Sequence, residues 1–253
     1  MTEYFDRPGD VPAAQPTKTL LALCPDGAFM AKYLAHAWGE DWRVATRPDD
    51  GMRADAAVMI SSTDIYDVTE GTGYTEDTSI KADSPLAREE AMFADYCRRH
   101  SLPCVILRAA NTVGTGMTRL PMRLARGVAR GTLMHIRDNY ETAISVVHAI
   151  DLASLSVTLQ QAPGTYNVTD GTATTIDALI NAIAHRLKDK NVGTLKRRWA
   201  RWLYGRRYFG TMTHTLTFDD TRLRQTLEKL GADVPTVQVV QRLNTHQYGQ
   251  DDI

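Results

Sequence analysis

The sequence predicts an α/β fold in which a parallel sheet carries helices on both of its faces. Short apolar segments bounded by turn residues alternate along the chain with segments of helical periodicity, as expected for a parallel sheet. The composition is that of a globular protein, because 43% of the 253 residues are hydrophobic and 23% are charged. A chain of this length can bury a sizeable core, as one large domain or two small ones.

Each buried strand is predicted from a short apolar run that ends at turn residues or serines. The predicted strands are Thr19–Cys24, Trp42–Thr46, Ala56–Ile60, Cys104–Leu107, Ala143–Val147 and Tyr166–Val168, with a further strand before Asp219. Helices are predicted where apolar residues recur with helical spacing. They are Ala28–Trp38, Pro85–His100 capped by Asp83 or Ser84, Arg119–Arg130, Asp151–Gln160, Thr175–Leu187 and one capped by Asp219 or Asp220. The polar segment between Asp64 and Asp83 is expected to be rich in turns.

Charge and cysteine content exclude several classes of protein. The formal net charge of -1 gives no overall signature of polyanion binding. Cys24, Cys97 and Cys104 form no CxxC motif, which favours a reducing compartment without a disulfide framework. No apolar run approaches the ~18 residues of a membrane span, and residues 1–18 lack the features of a signal peptide. We therefore expect a cytoplasmic protein with a flexible N-terminal tail, no membrane partner and no metal.

Several short motifs follow one another in the order typical of one known family. Ser61–Tyr66 matches a serine-rich strand end, SSxxxY, and Ser84-Pro85 begins a helix where that family has SPYxxxK. Further matches are Ile106–Gly114 (ILRxxNxxG), His148–Ala153 (HVxDLA) and Gly164–Val168 (GxYNV). Together they resemble the NAD-dependent epimerase/dehydratase family of extended short-chain dehydrogenases/reductases. The resemblance implies a Rossmann-like core over residues 19–168, with 115–139 contributing to the substrate lobe, and a C-terminal substrate-type lobe over 169–253.

The resemblance implies NAD or NADP as the cofactor, but the dinucleotide loop departs from the family pattern. Its three glycine positions are Cys24, Gly27 and Met30, so only the middle glycine is retained. The lost glycines are those that allow the tight turn and bring the helix close to the sheet. Asp26, at the start of the helix, would compete with pyrophosphate for the helix N–H groups. The cofactor-binding positions implied by the resemblance are Gly27, Ala28, Phe29, Arg47, Ser61 and Ala109.

The catalytic helix departs further from the family. The resemblance places the catalytic tyrosine at Leu86 and the catalytic lysine at Glu90. Leu86 has no proton to transfer, and a carboxylate at Glu90 would raise the pKa of a nearby phenol instead of lowering it. Ser62 matches the family's catalytic Ser/Thr position. Tyr66 and Tyr74 are candidate replacements for the missing tyrosine, although the resemblance favours a structural role in a turn for Tyr66.

The chain is also short between the second and third predicted strands. Only Pro48–Asp55 separates Arg47 from Ala56, where the family has two further βα units. A parallel crossover that contains a helix needs about a dozen residues or more. We therefore expect two strands and their helices to be missing. Uncovered apolar sheet surface then favours a homo-oligomer or a protein partner.

The substrate half keeps more of the family pattern. Asn111 matches a position that contacts substrate, although it would equally cap a turn, and His148 with Asp151 matches a pair that is largely structural. The segment Lys196–Tyr208 is densely basic with interleaved aromatic residues. The resemblance implies that Arg197 and Arg201 would bind the diphosphate of a nucleotide-sugar, with Arg198, Arg206 and Arg207 as further candidates. Alternatively, Trp199, Trp202 and Tyr208 anchor a helix to the core, or the segment is a surface for a membrane or, less favoured, a nucleic acid.

Three functional hypotheses follow, and the departures in the dinucleotide loop and the catalytic helix favour the first. The first is a degenerate relative, or pseudoenzyme, that has lost hydride transfer and acts as a binding or assembly protein. The second is an active epimerase, dehydratase or reductase with a rebuilt site that uses Ser62 with Tyr66 or Tyr74. The third is a nucleotide-sugar or anion-binding module that acts through the C-terminal arginines.

Overall fold

A parallel sheet forms the centre of residues 18–168 in the computed structural model. The structure describes residues 16–24, 29–47, 53–233 and 238–244. Within this part of the chain, the five strands of the sheet lie in the order β2-β1-β3-β5-β9. The strands in chain order are β1 (Lys18–Leu23), β2 (Trp42–Ala45), β3 (Ala56–Ser62), β4 (Gly71–Tyr74), β5 (Val105–Ala109), β6 (Asn111–Val113), β7 (His135–Ile136), β8 (Ala143–His148), β9 (Gly164–Val168), β10 (Ala173–Thr175), β11 (Thr194–Leu195) and β12 (Leu216–Phe218).

Helices cover both faces of this sheet, as the sequence predicts. The helices are α1 (Phe29–Trp38), α2 (Pro85–His100), α3 (Arg119–Ala129), α4 (Ala149–Thr158), α5 (Ile176–Arg186), α6 (Arg197–Thr213), α7 (Thr221–Leu230) and α8 (Val239–Asn244). Alternate strand residues point to opposite faces. Leu20 and Val58 therefore pack with α1, α4 and α7, whereas Leu21 and Met59 pack with Phe93 of α2 on the other face.

A second, mixed sheet was not predicted. Its strands lie in the order β10-β8-β12-β4, and β6 pairs with β8 beside it. β4 lies in the polar segment that was expected to be rich in turns, and the strand at Gly71–Tyr74 was not predicted there. The strand pairs in parallel with β12, which lies far away in the sequence. Short polar strands of this kind carry little periodic signal, because their pairing depends on distant partners.

The two strands on either side of the short connection, β2 and β3, both pair with β1. β1 pairs directly with β3, with Leu20 opposite Ala56, and with β2 on its other side. Ala54, near the end of the connection, is buried in the cluster that contains Leu21 and Phe93. The connection thus contributes a side chain to the face of the sheet that α2 covers.

Candidate functional site

The candidate site lies where β3 and β5 end beside the first turns of α2. Ser84 caps α2, because its hydroxyl accepts the Ala87 N–H at 3.1 Å, and Pro85 occupies the first turn. Helical spacing then turns Glu90 inward, and only 7% of it is exposed. Leu86, one turn earlier, is half-buried and packs between two hydrophobic clusters.

Glu90 is held in a buried ion pair with Arg108. The Arg108 Nη2–H donates to Glu90 Oε2 at 2.8 Å and the Nε–H donates to Oε1 at 3.1 Å. Ser61 donates its hydroxyl proton to the same Oε1 at 2.5 Å. The side chains of Arg108 and Glu90 are 10% and 8% exposed. Burial acts to lower the pKa of Arg108, but the hydrogen bonds to Glu90 and Tyr66 outweigh it and raise that pKa, so the guanidinium stays charged.

Tyr66 extends the same network towards β9. Its hydroxyl donates to Asn167 Oδ1 at 2.6 Å and accepts from Arg108 Nη1 at 3.2 Å. The backbone N–H of Asn167 donates to Glu76 at 2.8 Å. Tyr66 is completely buried, and this burial raises its pKa above the ordinary value, with the guanidinium of Arg108 only partly offsetting the effect. A raised pKa is opposite to the shift that would activate a catalytic tyrosine.

Ser62 has other partners. Its hydroxyl accepts the Asp64 N–H at 3.2 Å and an Arg119 Nη1–H at 2.9 Å. Arg119 also forms an ion pair with the Asp64 carboxylate. Ser62 thus caps the short 3-10 helix Thr63–Ile65 and lies in a polar cluster separate from the Glu90 carboxylate.

The remaining catalytic and substrate candidates are dispersed. Tyr74, on β4, donates its hydroxyl proton to the carbonyl of Glu70 at 2.6 Å. Asn111 donates to the Ser145 carbonyl at 2.9 Å, which ties β6 to β8. Ala109, at the end of β5, is buried in the core. The structure therefore does not bring the hydroxyl groups of Ser62, Tyr66 and Tyr74 together, although Asn167 links the Tyr66 hydroxyl to the backbone carbonyl of Tyr74.

On the cofactor side, the start of α1 packs against the loop that follows β6. Gly27 and Ala28 lie outside the described residues. A Cβ added to Gly116 would lie 3.0 Å from the Cβ of Phe29, so the two segments are in direct contact. Tyr33 reaches the same loop and donates to the Thr115 carbonyl at 3.4 Å. Met30, at the third glycine position, is buried in the core beneath α1.

A cavity of about 750 Å³ opens beside α2, at the carboxyl ends of β1 and β2. Arg47, one of the cofactor-binding candidates, lines it together with Leu23. Met92 and Tyr96 line the opposite wall from α2, and Met92 is 71% exposed. The cavity thus lies over the face of β1 and β2 next to α2, on the side of the short β2–β3 connection.

His148 and Asp151 have structural partners. The His148 Nδ1 accepts the Ile150 N–H at 3.2 Å and caps α4. Burial, with a smaller contribution from Arg242, lowers the pKa of His148 to about 4. Asp151 forms a buried ion pair with Arg242 of α8 at 2.8 Å. These contacts tie the start of α4 to α8.

The basic–aromatic segment forms α6, which begins at Arg197 and bends at Gly205. Gly205 has φ 70° and ψ 161°, a conformation that only glycine adopts without strain. Arg197 and Arg201 are exposed on the helix surface. Tyr208 is half-buried against the core, but Trp199 and Trp202 are 53% and 80% exposed. The alternative that these tryptophans anchor the helix is therefore wrong.

Sequence reasoning missed the residues that complete the buried network. Arg108 and Asn167 lie within motifs that supported the resemblance, but no role was assigned to either side chain. A single arginine in an otherwise apolar strand was the available signal, because such a residue needs a buried partner. The partner is the acidic residue at position 90. In the described part of the chain, no helix is long and apolar enough to cross a membrane, and no group of acidic, histidine and cysteine residues is arranged to hold a metal.

Comparison with solved structures gives the fold of the chain. No protein-family model and no curated protein matches the chain. Among solved structures, the chain is similar to a putative epimerase from Burkholderia cenocepacia, with TM-score 0.64 and 14% identity over 91% of this chain and 97% of the other. It is also similar to RMD from Pseudomonas aeruginosa complexed with NADPH, with TM-score 0.62 and 16% identity over 90% of this chain and 97% of the other. A third similar structure is UDP-N-acetylglucosamine 4-epimerase from Bacillus cereus, with TM-score 0.60 and 15% identity over 92% of this chain and 100% of the other. The chain therefore has the Rossmann-like fold of NAD-dependent epimerases and dehydratases, and the predicted fold is confirmed.

Proposed function

We propose that this protein is a non-catalytic relative of the NAD-dependent epimerases and dehydratases, and that it acts as a binding or assembly protein. The observation that carries the proposal is the buried pair between Glu90 and Arg108. Glu90 stands at the position that the resemblance gives to the catalytic lysine. Its carboxylate is neutralised by Arg108 and hydrogen-bonded by Ser61. The position therefore has a structural role that a lysine could not fill beside a buried arginine.

The described residues do not fit the hydride-transfer half of a cofactor site. Leu86 places a half-buried aliphatic side chain where the family has its tyrosine. Phe29 and Tyr33 pack against the loop around Gly116 at the start of α1, next to which a dinucleotide would bind. Tyr66, one of the two candidate replacements for that tyrosine, is buried with a raised pKa. Each of these features argues against retained hydride transfer from NAD or NADP.

The cavity beside α2 supports a binding role. It is lined by apolar side chains from β1 and α2, together with Arg47 and the charged α2 residues Glu89, Asp95 and Arg99. Concave sites of this size and polarity commonly receive small ligands or partner side chains. A homo-oligomer or a protein partner that covers this face would compensate for the short β2–β3 connection. Cytoplasmic location remains part of the proposal, since the sequence contains no disulfide framework.

The first experiment measures whether a dinucleotide binds. Purified protein is titrated with NAD, NADH, NADP and NADPH while its melting temperature is followed. We expect no change up to millimolar concentrations. A ligand present at 100 times its Kd would stabilise the fold by about 2.7 kcal/mol, which for a chain of this size is a shift of roughly 5–10 °C. Saturable binding of any dinucleotide below 1 mM, on the order of ordinary enzyme substrates, would contradict the strong form of the proposal.

A nucleotide-sugar is the second ligand class to test, because several neighbours of similar fold are named for such substrates. UDP-sugars are added in the same assay to the wild-type chain and to the Arg197→Ala/Arg201→Ala variant. Stabilisation of the wild type that the variant lacks would favour a nucleotide-sugar-binding module. Stabilisation of both would place the ligand elsewhere, with the cavity beside α2 tested next by Arg47→Ala. The absence of any shift favours the binding or assembly role.

A further inference from the structure

The first half of α6 presents an unusual surface to solvent. Residues 197–204 form a helix that ends at the bend at Gly205. Trp199, Trp202 and Leu203 on this helix are 53%, 80% and 50% exposed. Large apolar side chains grouped in this way on a soluble protein mark a surface that binds something. We call the surface formed by Arg198, Trp199, Arg201, Trp202 and Leu203 the basic–aromatic face.

The orientation of this helix is fixed from its inner side. Ala200 is completely buried. The Tyr204 hydroxyl donates to the Met134 carbonyl at 3.0 Å and accepts the Met134 N–H at 2.8 Å. Tyr204 also packs edge-on against Tyr208, with 5.5 Å between the ring centroids. The basic–aromatic face is therefore held outward by contacts on the opposite side of the helix.

Helical geometry divides this face into an apolar and a basic half. At ~100° per residue, Trp202 lies opposite the buried side formed by Ala200 and Tyr204. Trp199 and Leu203 then lie on one flank of Trp202, and Arg198 and Arg201 lie on the other. The guanidinium of Arg198 lies 5.5 Å from the Trp199 ring centroid. The helix thus has an apolar stripe bordered along its length by arginines.

The charge of this region is strongly local. Between residues 190 and 218 the sequence contains no aspartate or glutamate, although the whole chain has a net charge of -1. The lysines and arginines of this region are Lys190, Lys196, Arg197, Arg198, Arg201, Arg206 and Arg207. A cluster of this size on an amphipathic helix is attracted to a negatively charged surface.

We infer that the basic–aromatic face of α6 docks on a membrane surface that carries anionic phospholipid headgroups. Tryptophan suits the boundary between headgroups and acyl chains, because its ring is apolar and its N–H is polar. Trp199, Trp202 and Leu203 would enter this boundary, while Arg198 and Arg201 pair with phosphate oxygens. The helix would lie in the plane of the surface, without crossing it. This inference is independent of whether a dinucleotide binds, and it revises the expectation that the protein has no membrane partner.

The exposed leucine favours a membrane over a nucleic acid. Base stacking uses flat aromatic rings, and Leu203 would contribute little to it, whereas insertion at a lipid boundary uses all three apolar residues. A second copy of the same surface is disfavoured by charge, because docking the two faces would bring their arginines together. An anionic lipid surface offers an apolar boundary to the tryptophans and the leucine, and phosphate groups to the arginines.

The test is co-sedimentation of the full chain with vesicles. One set of vesicles contains phosphatidylcholine alone, and the other contains phosphatidylcholine with phosphatidylserine. We expect binding to the anionic vesicles only, weakened by high salt, with a blue shift of tryptophan fluorescence. Replacing Arg198→Gln and Arg201→Gln should weaken binding roughly 30-fold, as expected for two lost arginine contacts with the surface. Trp199→Ala with Trp202→Ala should remove both the binding and the blue shift.

Matched variants control for net charge and for folding. Arg126→Gln with Arg130→Gln removes the same charge from the exposed end of α3 in the same lobe, and Tyr140→Ala removes another exposed aromatic residue. Both controls should bind vesicles like the wild type. Equal binding by all variants, or equal binding to neutral and anionic vesicles, would overturn the inference. Binding to single-stranded polyuridylate without vesicle binding, or a change of oligomeric state in the Trp199→Ala/Trp202→Ala variant without vesicle binding, would overturn it in favour of a nucleic acid or a second copy.

Discussion

Replacing Glu90 by lysine would restore the residue that the epimerase family resemblance places at this position. The same change would remove the carboxylate that pairs with Arg108 and would leave Ser61 without its acceptor. It would also place a second cation beside a guanidinium whose side chain is 10% exposed. The proposal that Glu90 is structural therefore predicts that the family's lysine is harmful in this chain.

The size of the effect follows from the burial of the pair. Removing one partner of a buried ion pair costs about 3–5 kcal/mol, because the other charge is left uncompensated in a medium of low dielectric constant. The lost acceptor of Ser61 adds on the order of 1 kcal/mol. We thus expect the free energy of unfolding to fall by about 4–6 kcal/mol in Glu90→Lys. For a protein of this size such a change lowers the melting temperature by roughly 10–20 °C.

The assay is urea denaturation followed by circular dichroism, with Glu89→Lys as the matched control. Glu89 is the adjacent residue of α2, is exposed, and undergoes the same change of charge. Its replacement should alter the free energy of unfolding by about 0.5 kcal/mol or less. A second variant, Glu90→Met with Arg108→Met, removes both charges and should be more stable than Glu90→Lys. The reasoning is refuted if Glu90→Lys costs no more than Glu89→Lys, or if it confers dinucleotide binding on a fold of unchanged stability.

Three further predictions concern the pH dependence, the network and the bend of α6. The pKa of His148 is lowered to about 4 in the folded chain, so below pH 6.5 the unfolded chain binds a proton that the folded chain does not bind. The free energy of unfolding therefore falls as the pH falls below 6.5, by about 2 kcal/mol between pH 7 and pH 5. His148→Asn keeps a capping side chain and should reduce this slope, and an unchanged slope in urea titrations would contradict the assignment. Tyr66→Phe removes a hydroxyl that bonds both Arg108 and Asn167, and should cost about 1–3 kcal/mol in the same measurement. Gly205→Ala should cost about 1–3 kcal/mol through backbone strain alone, since no atom lies within 4 Å of the added Cβ. The control is Gly193→Ala, which has equal space and no positive φ and should not be destabilising. Equal melting temperatures for the two variants would refute the role of the bend.

Much of the first sheet could be predicted because its signal is local. The apolar run at Ala56–Ile60 and the capped helix at Pro85–His100 each contain their own pattern, and the structure places a strand over Ala56–Ser62 and a helix over Pro85–His100. β4 gave no such signal. Its residues Gly71–Tyr74 are polar or small, and they form a strand because β12 supplies a partner at the other end of the chain. Pairing that depends on a distant partner does not appear in local periodicity.

The site was predictable in position and less so in chemistry. The resemblance identified Leu86 and Glu90 as departures from the family, but the sequence alone could not supply the partner of Glu90. Arg108 belongs to a strand motif of the resemblance, and only the packing of α2 on β5 brings its guanidinium to the Glu90 carboxylate. The exposure of Trp199 and Trp202 was likewise beyond sequence reasoning, because a basic helix with aromatic residues can turn either set inward.

The pairing pattern of the two sheets also has a consequence for the order in which they form. In the first sheet, no paired residues are more than 59 positions apart in the chain, and Leu20 of β1 and Ala56 of β3 are 36 positions apart. In the second sheet, Gly71 of β4 pairs with Leu216 of β12. Closing the long loop between these two strands costs more conformational entropy than closing the shorter loops of the first sheet. Pairing between distant segments slows folding, and β4, a partly exposed strand at the edge of its sheet, opens more easily than the buried β3. Amide hydrogens of β4 should therefore exchange with solvent sooner than those of β3, so that a protease would gain access to the chain first around residue 71.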